Sequence, residues 1–329
     1  MGSKHQSQVK NSLPSYLANQ PSPSNSYSPP SAPPGKELSG IPDPNPPPYH
    51  NWQEVPGTST FPPPPVASYF NSNAGNASSD DAERAHVFCD TTPLWQPVKP
   101  PAAVYRSVQE HDLRPVISTE FHGRLSPVCR GRWNGSTKDR NGDCIIITNL
   151  PLYFPVEDSP FVTGRATKTI YFEVKLLGLG TGPGRGAANS SGFSIGYGAQ
   201  PYPSWRSPGW ERGSLGVFSD DGCRFVNDSW GGREFASEFQ VGETVGLGMT
   251  FSRPDKGMKS DMQSKLAVDI SFTRNGQWTG GWELYEEVDA EAGSVEGLEG
   301  DHDLYAAVGL FGGVDFDVCF DPAGWLWKV

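Results

Sequence analysis

The sequence predicts an all-β protein, a two-sheet antiparallel β-sandwich preceded by a disordered proline-rich tail. Three observations lead there. Beyond residue 113, apolar side chains recur in short runs with the two-residue period of strands, each closed by turn residues. No segment keeps a helical period for more than two turns. Proline crowds the opposite end, where residues 1–65 hold 17 of the 32.

Taken in order, residues 1–85 form the tail. Its apolar side chains are too few to offset the entropy of ordering, and its prolines favour extended polyproline II. Residues 86–139 are assigned as a linker and N-terminal extension, and 140–329 as the sandwich. The strand runs there are CIIITNLPLYF (144–154), TIYFEVKLLGL (169–179), SGFSIGYGA (191–199), GSLGVFS (213–219), TVGLGMTF (244–251), LAVDISFTRNG (266–276), YAAVGLF (305–311) and VDFDVCF (314–320). In the second run, Ile170, Phe172, Val174 and Leu176 oppose Tyr171, Glu173 and Lys175. In LAVDISF, Leu266, Val268, Ile270 and Phe272 point inward while Asp269 and Ser271 face water. Asn275-Gly276 then marks a hairpin, because both central positions of a type I′ turn want positive φ. Trp325 and Trp327 are assigned to packing in a final strand. The connections 178–191, 252–264 and 283–303 are long, polar and poor in aromatic residues, and are expected to be disordered.

The formal charge of −11 is local. Residues 283–303 hold nine Asp and Glu with no Lys or Arg, which suits a solvated loop. There is no basic patch, so nucleic acid is not an expected partner. Cys89, Cys129, Cys144, Cys223 and Cys319 are widely spaced and form no CxxC pair, which argues against a disulfide framework and a zinc site. The first residues show no apolar signal region, and no run approaches the roughly 20 residues of a membrane helix. A soluble, cytoplasmic monomer is expected, with no metal, no cofactor and no direct membrane insertion.

Catalysis is not expected either. Glycosidases built on two-sheet sandwiches need paired carboxylates projecting into a cleft. Glu173 stands alone, and Asp315 and Asp317 share a face of what reads as a half-exposed terminal strand. Nucleophilic schemes need a histidine beside the nucleophile. His5, His50 and His86 are placed in the disordered part, His302 in the acidic loop, and His111 and His122 in no motif. The stretch GLGTGPGRGA lacks the glycine spacing and the following helix of a phosphate cradle.

The strand order YFEV, GFSIGYG, PYPSWRSPGW, GSLGVFSDDG, TVGLGMTF, ISFTRNGQ and YAAVGLFG resembles a SPRY domain over roughly residues 140–327. The stretch AQPYPSWRSPGWERGSLGVFSDDG (199–222) is most similar to SPRY proteins of fungi, some of which are ubiquitin-ligase adaptors of endosome and vacuole. Those adaptors carry a transmembrane segment ahead of the domain, which is missing here. The resemblance implies a bent, concanavalin-like sandwich that binds proteins or peptides through loops at one end.

Two sets of residues then become candidates. The loop 200–212 gathers Tyr202, Trp205, Arg206, Trp210 and Arg212, the residue types that dominate interface hot spots, on a proline-stiffened turn. Trp205 and Trp210 could equally plug the end of the sandwich. Arg206 is the side chain least expected in a core and the first choice for partner contact, with Trp230 a further candidate. In the tail, Pro46-Pro47-Pro48-Tyr49 spells PPxY and Leu13-Pro14-Ser15-Tyr16 spells the looser LPxY, peptides that WW domains read in polyproline II form. A proline-rich tail can spell PPxY by accident. Together with an adaptor-like SPRY domain, the motifs point to recruitment of a WW-domain partner, a HECT-type ubiquitin ligase, with endosomal association through partners. The alternative is a SPRY interaction subunit of a chromatin-modifying or scaffold complex, with a purely solubilising tail.

Overall fold

The computed structural model describes residues 78–180, 191–228, 232–254, 265–287 and 294–328. The tail motifs at Leu13, Pro14, Tyr16, Pro46, Pro47 and Tyr49 lie outside the described residues, as does Trp230. Described residues begin with helix α1 (Ser79–Thr91), whose N-cap Ser78 accepts the Asp81 N–H through Oγ at 3.1 Å. Asp80 and Asp81 favour the positive end of the helix. This corrects two expectations: residues 79–85 are helical rather than part of a disordered tail, and one helix runs beyond two turns. Helix α2 (Ala102–Gln109) follows a Pro-Pro pair.

The sandwich consists of two antiparallel sheets. Its strands are β1 (Pro115–Val116), β2 (Gly123–Cys129), β3 (Arg132–Thr137), β4 (Cys144–Thr148), β5 (Thr167–Leu179), β6 (Gly192–Gly198), β7 (Ser214–Phe218), β8 (Arg224–Val226), β9 (Thr244–Ser252), β10 (Ala267–Arg274), β11 (Gln277–Glu283), β12 (Tyr305–Phe311) and β13 (Val314–Cys319). One sheet runs β1-β4-β12-β6-β7-β8 and the other β11-β10-β9-β5-β13-β3-β2. Two short helices, α3 (Pro155–Asp158) and α4 (Pro160–Thr163), lead into β5. Asn275 and Gly276 take φ of 51° and 74° at the β10–β11 hairpin, as the Asn-Gly pair requires.

Alternation builds the core. Phe172, Val174 and Leu176 of β5 and Leu247, Met249 and Phe251 of β9 meet Phe193, Ile195 and Tyr197 of β6 and Leu215 and Val217 of β7. Leu266, Val268, Ile270 and Phe272 are buried, with Asp269 exposed. One polar bond crosses this interior: Tyr197 donates to the Leu247 carbonyl at 2.8 Å, so its buried hydroxyl is satisfied.

The outward face of the larger sheet departs from the sequence pattern. Tyr171 and Glu173 are buried, because residues after β13 fold back over them. The Glu173 carboxylate accepts the backbone N–H of Leu326 at 2.8 Å and of Trp327 at 2.9 Å, as well as the Tyr171 hydroxyl. The Trp325 ring stands edge-on to Tyr171 at 4.8 Å. Trp325 and Trp327 therefore pack through a capped segment, not through a final strand. The strand carrying Asp315 and Asp317 is likewise interior, between β5 and β3, and Asp317 pairs with Arg132 at 2.8 Å. Within the acidic run, residues 294–303 are also part of the structure rather than a disordered loop. Val295 and Leu298 reach the core, since two apolar side chains there outweigh the surrounding charge. Positions 181–190 and 255–264 of the other two insertions lie outside the described residues.

Candidate functional site

The loop joining β6 to β7 does not project into solvent. It lies flat on the outer face of the smaller sheet, and the seat is cut from glycines. Gly196 and Gly216 face each other across β6 and β7, and Gly309 stands in the neighbouring β12. A Cβ on Gly196 would come within 2.8 Å of the Pro208 ring, and one on Gly216 within 2.3 Å of the Pro208 carbonyl oxygen. Side chains at these outward positions would lift the loop off the sheet. Tyr202 fills the space over Ile145 and Ala307. Its hydroxyl donates to the Ser207 carbonyl at 2.6 Å and accepts the Glu211 N–H at 3.2 Å.

Arg206 is where the structure corrects the sequence most sharply. Only 2 % of it is exposed, and its Nε donates to Glu211 Oε1 at 2.7 Å. The guanidinium carbon lies 4.4 Å from the centre of the Trp210 ring, which stacks in turn on Phe218 at 5.3 Å. An arginine in a loop can be core when a carboxylate and an aromatic face are supplied within the same loop. Burial pushes the Glu211 carboxyl up, and the opposed charge of Arg206 is the strongest influence restraining it. Arg206 thus braces the loop from within, and it cannot touch a partner from this position.

Trp205 and Arg212 face outward from the loop, and both are engaged by the segment that precedes the sandwich. The Trp205 Nε1 donates to the Asp81 carbonyl at 3.1 Å. The Phe88 ring meets Trp205 edge-on at 5.9 Å, and the Arg84 guanidinium carbon lies 3.8 Å from its ring centre. Arg212 donates to the carbonyls of Cys89 and Thr92. His86 Nε2 stands 3.8 Å from Glu211 Oε2. Beyond the helix, the Trp95 N–H donates to the Gln200 carbonyl at 2.7 Å. Residues 81–95 thereby run along the whole loop. The sequence brought together Tyr202, Trp205, Arg206, Trp210 and Arg212; it missed Glu211, which organises them, and α1, which covers them. An opposite charge five residues after Arg206 in a proline-rich loop was the signal for the first. Ser78 with its acidic first turn was the signal for the second.

Among the described residues, no group of three or more His, Cys, Asp or Glu is arranged to hold a metal ion, and no helix is long and apolar enough to cross a membrane.

No protein-family profile matches the chain. A SPRY domain-containing protein of Schizosaccharomyces pombe is 34% identical over 137 residues, covering 42% of this chain and 27% of that protein. Over these residues the sandwich is SPRY-like. Protein ssh4 of Sclerotinia sclerotiorum is 25% identical to the chain over 186 residues, covering 56% of this chain and 27% of its own. The chain thus spans about a quarter of the length of these curated relatives. Among solved structures, a human SPRY domain is similar at 18% identity with a TM-score of 0.36, covering 64% of this chain and 97% of that one. The seated β6–β7 loop gives the sandwich an aromatic and charged end.

Proposed function

We propose that the protein is a non-catalytic adaptor, binding a protein or peptide cargo at the β6–β7 end of its SPRY domain and recruiting a WW-domain ubiquitin ligase through its tail. The observation that carries the reading is the coexistence of PPPY (46–49) and LPSY (13–16) with a SPRY domain in one chain. A polyproline II ligand is pre-extended, so a WW domain docks on it with little loss of entropy. The adaptor then does no chemistry of its own. It raises the concentration of ligase near cargo, which is enough to accelerate transfer by orders of magnitude. Trp205 and Arg212 are the cargo-facing side chains in this reading; Tyr202 and Arg206 hold the loop in shape.

The test is a binding titration of isolated HECT-ligase WW domains against the full chain. Micromolar binding that disappears in the Tyr49→Ala, Tyr16→Ala double variant supports the adaptor. Binding that is unchanged by both substitutions eliminates it and favours a SPRY subunit of a scaffold whose tail only solubilises.

A further inference from the structure

The surface assigned to cargo is already occupied by this chain, and the occupant is weakly held. Of the thirteen residues of α1, Ala85 alone is buried. Its grip on the loop includes the Asp81 carbonyl, the Arg84 and Phe88 side chains around Trp205, the Cys89 carbonyl on Arg212, and His86 and the Cys89 thiol beside Glu211. Segments with few buried apolar contacts open locally at far lower free energy than the core strands. The residue that anchors the segment is Leu94, which is 6 % exposed. One of its methyl groups lies 2.6 Å from where a Cβ on Gly297 would stand, and both lie 3.3 Å from that of Gly213. The helix can therefore leave while Leu94 stays, once the Arg212 bond to the Thr92 carbonyl opens and the backbone between Thr91 and Leu94 pivots.

We propose that α1 is a displaceable cover on the β6–β7 surface. The surface takes from a partner what it takes from α1: a short helix bearing an arginine and, four residues later, an aromatic ring. The i and i+4 spacing puts Arg84 and Phe88 on one helix face, so a single indole can hold a cation on its ring and an aromatic edge beside it. Glu211 and Arg212 also meet α1, so a helix seated there lays a basic side chain toward the carboxylate, as His86 does, and its terminal carbonyls toward the guanidinium. The cover follows the tail in sequence, with Tyr49 of the PPPY motif 30 residues before Ser79. This inference rests on the adaptor reading for its biological meaning but not for its physics.

The probe is a fluorescein-labelled peptide of residues 78–94 with Cys89→Ser, titrated into the full chain by anisotropy. The Arg84→Ala, Phe88→Ala chain, whose own helix has lost its hold on Trp205, is expected to bind it at least tenfold more tightly than the unsubstituted chain. Adding Trp205→Ala is expected to abolish that gain. In hydrogen exchange on the unsubstituted full chain, α1 amides are expected to exchange at least a hundredfold faster than those of β9. Equal peptide affinity for the covered and uncovered chains overturns the proposal, as do α1 amides that exchange as slowly as β9. The adaptor reading fails separately. If the peptide discriminates as stated but cellular crosslinks to the chain are identical with and without Trp205→Ala, the cover stands and the choice of cargo surface is wrong. If crosslinks need Trp205 yet ignore the helix substitutions, the reverse holds.

Discussion

Replacing Arg206 with alanine tests whether the β6–β7 loop is built around an internal ion pair. Both side chains of the Arg206–Glu211 pair are 3 % exposed, at 2.7 Å. Removing the guanidinium leaves a buried carboxylate with its principal counter-charge gone and Trp210 without the cation above it. Breaking a buried pair from one side costs about 3–5 kcal/mol. In a domain of this size each kcal/mol lowers Tm by about 2–4 °C, so a fall of about 6–20 °C is expected. The loss should also acquire a pH dependence. Burial already raises the Glu211 carboxyl, and without Arg206 it rises further, so the folded state holds a proton that the unfolded chain gives up at the ordinary carboxylate pKa. The deficit must then grow from pH 5 to pH 8. Thermal unfolding followed by circular dichroism at both pH values measures it. A Tm within 2 °C of the parent at both pH values refutes the bracing role. A double replacement, Arg206→Met with Glu211→Leu, should cost less than Arg206→Ala alone, because it leaves no charge behind.

Asp143 offers a second pH-dependent expectation. Its Oδ1 is buried without a hydrogen-bond partner among the described residues, and burial pushes the carboxyl up to about 7, against restraint from Arg206. Between about pH 4 and pH 7 the unfolded chain releases this proton while the folded one keeps it, so the contribution to stability is complete below that window and is lost as pH rises through it. Asp143→Asn should therefore raise Tm at pH 8 by a few degrees and flatten the decline from pH 4 to 7; an unchanged profile counts against it. Gly216→Ala should destabilise by about 2–4 kcal/mol and loosen the loop, since its Cβ collides with Pro208. Gly198→Ala, with no neighbour nearer than 3.8 Å, is the control and should be close to neutral. Denaturant titrations of the two compare them directly, and equal losses would remove the special place of Gly216.

Much of the sandwich could be read from the chain because its strands alternate in the open. LAVDISF and the Asn-Gly turn announce β10 and its hairpin without help. Strand β3, RWNGST, could not be read that way. Gly135 stands at an inward position because the Phe316 ring fills the space, with a Cβ there only 2.1 Å from it, so the apolar signal is deleted from one strand and carried by another. Helix α1 was missed for a related reason: a helix that buries one alanine has no apolar stripe to find. At the candidate site, residue type located the loop, but type cannot tell an arginine aimed at solvent from one aimed at a carboxylate five residues on. Glu173 is the extreme case. Besides Tyr171, its partners are backbone N–H groups some 150 residues away, and these leave no mark in any local pattern.

The strand order of the larger sheet also governs how the molecule is made. The hairpin of β2 and β3 touches the rest of that sheet only through β13, which enters between β3 and β5. During synthesis the hairpin emerges before the other strands of its sheet, and 176 residues separate Thr137 of β3 from Val314 of its neighbour β13. Such long-range closure is slow, because loop entropy is lost before contacts are gained. A ribosome that stops short of Val314 would release a chain with a split sheet and two open edges, suited to pairing with other chains. Closure of this sheet therefore waits on β13.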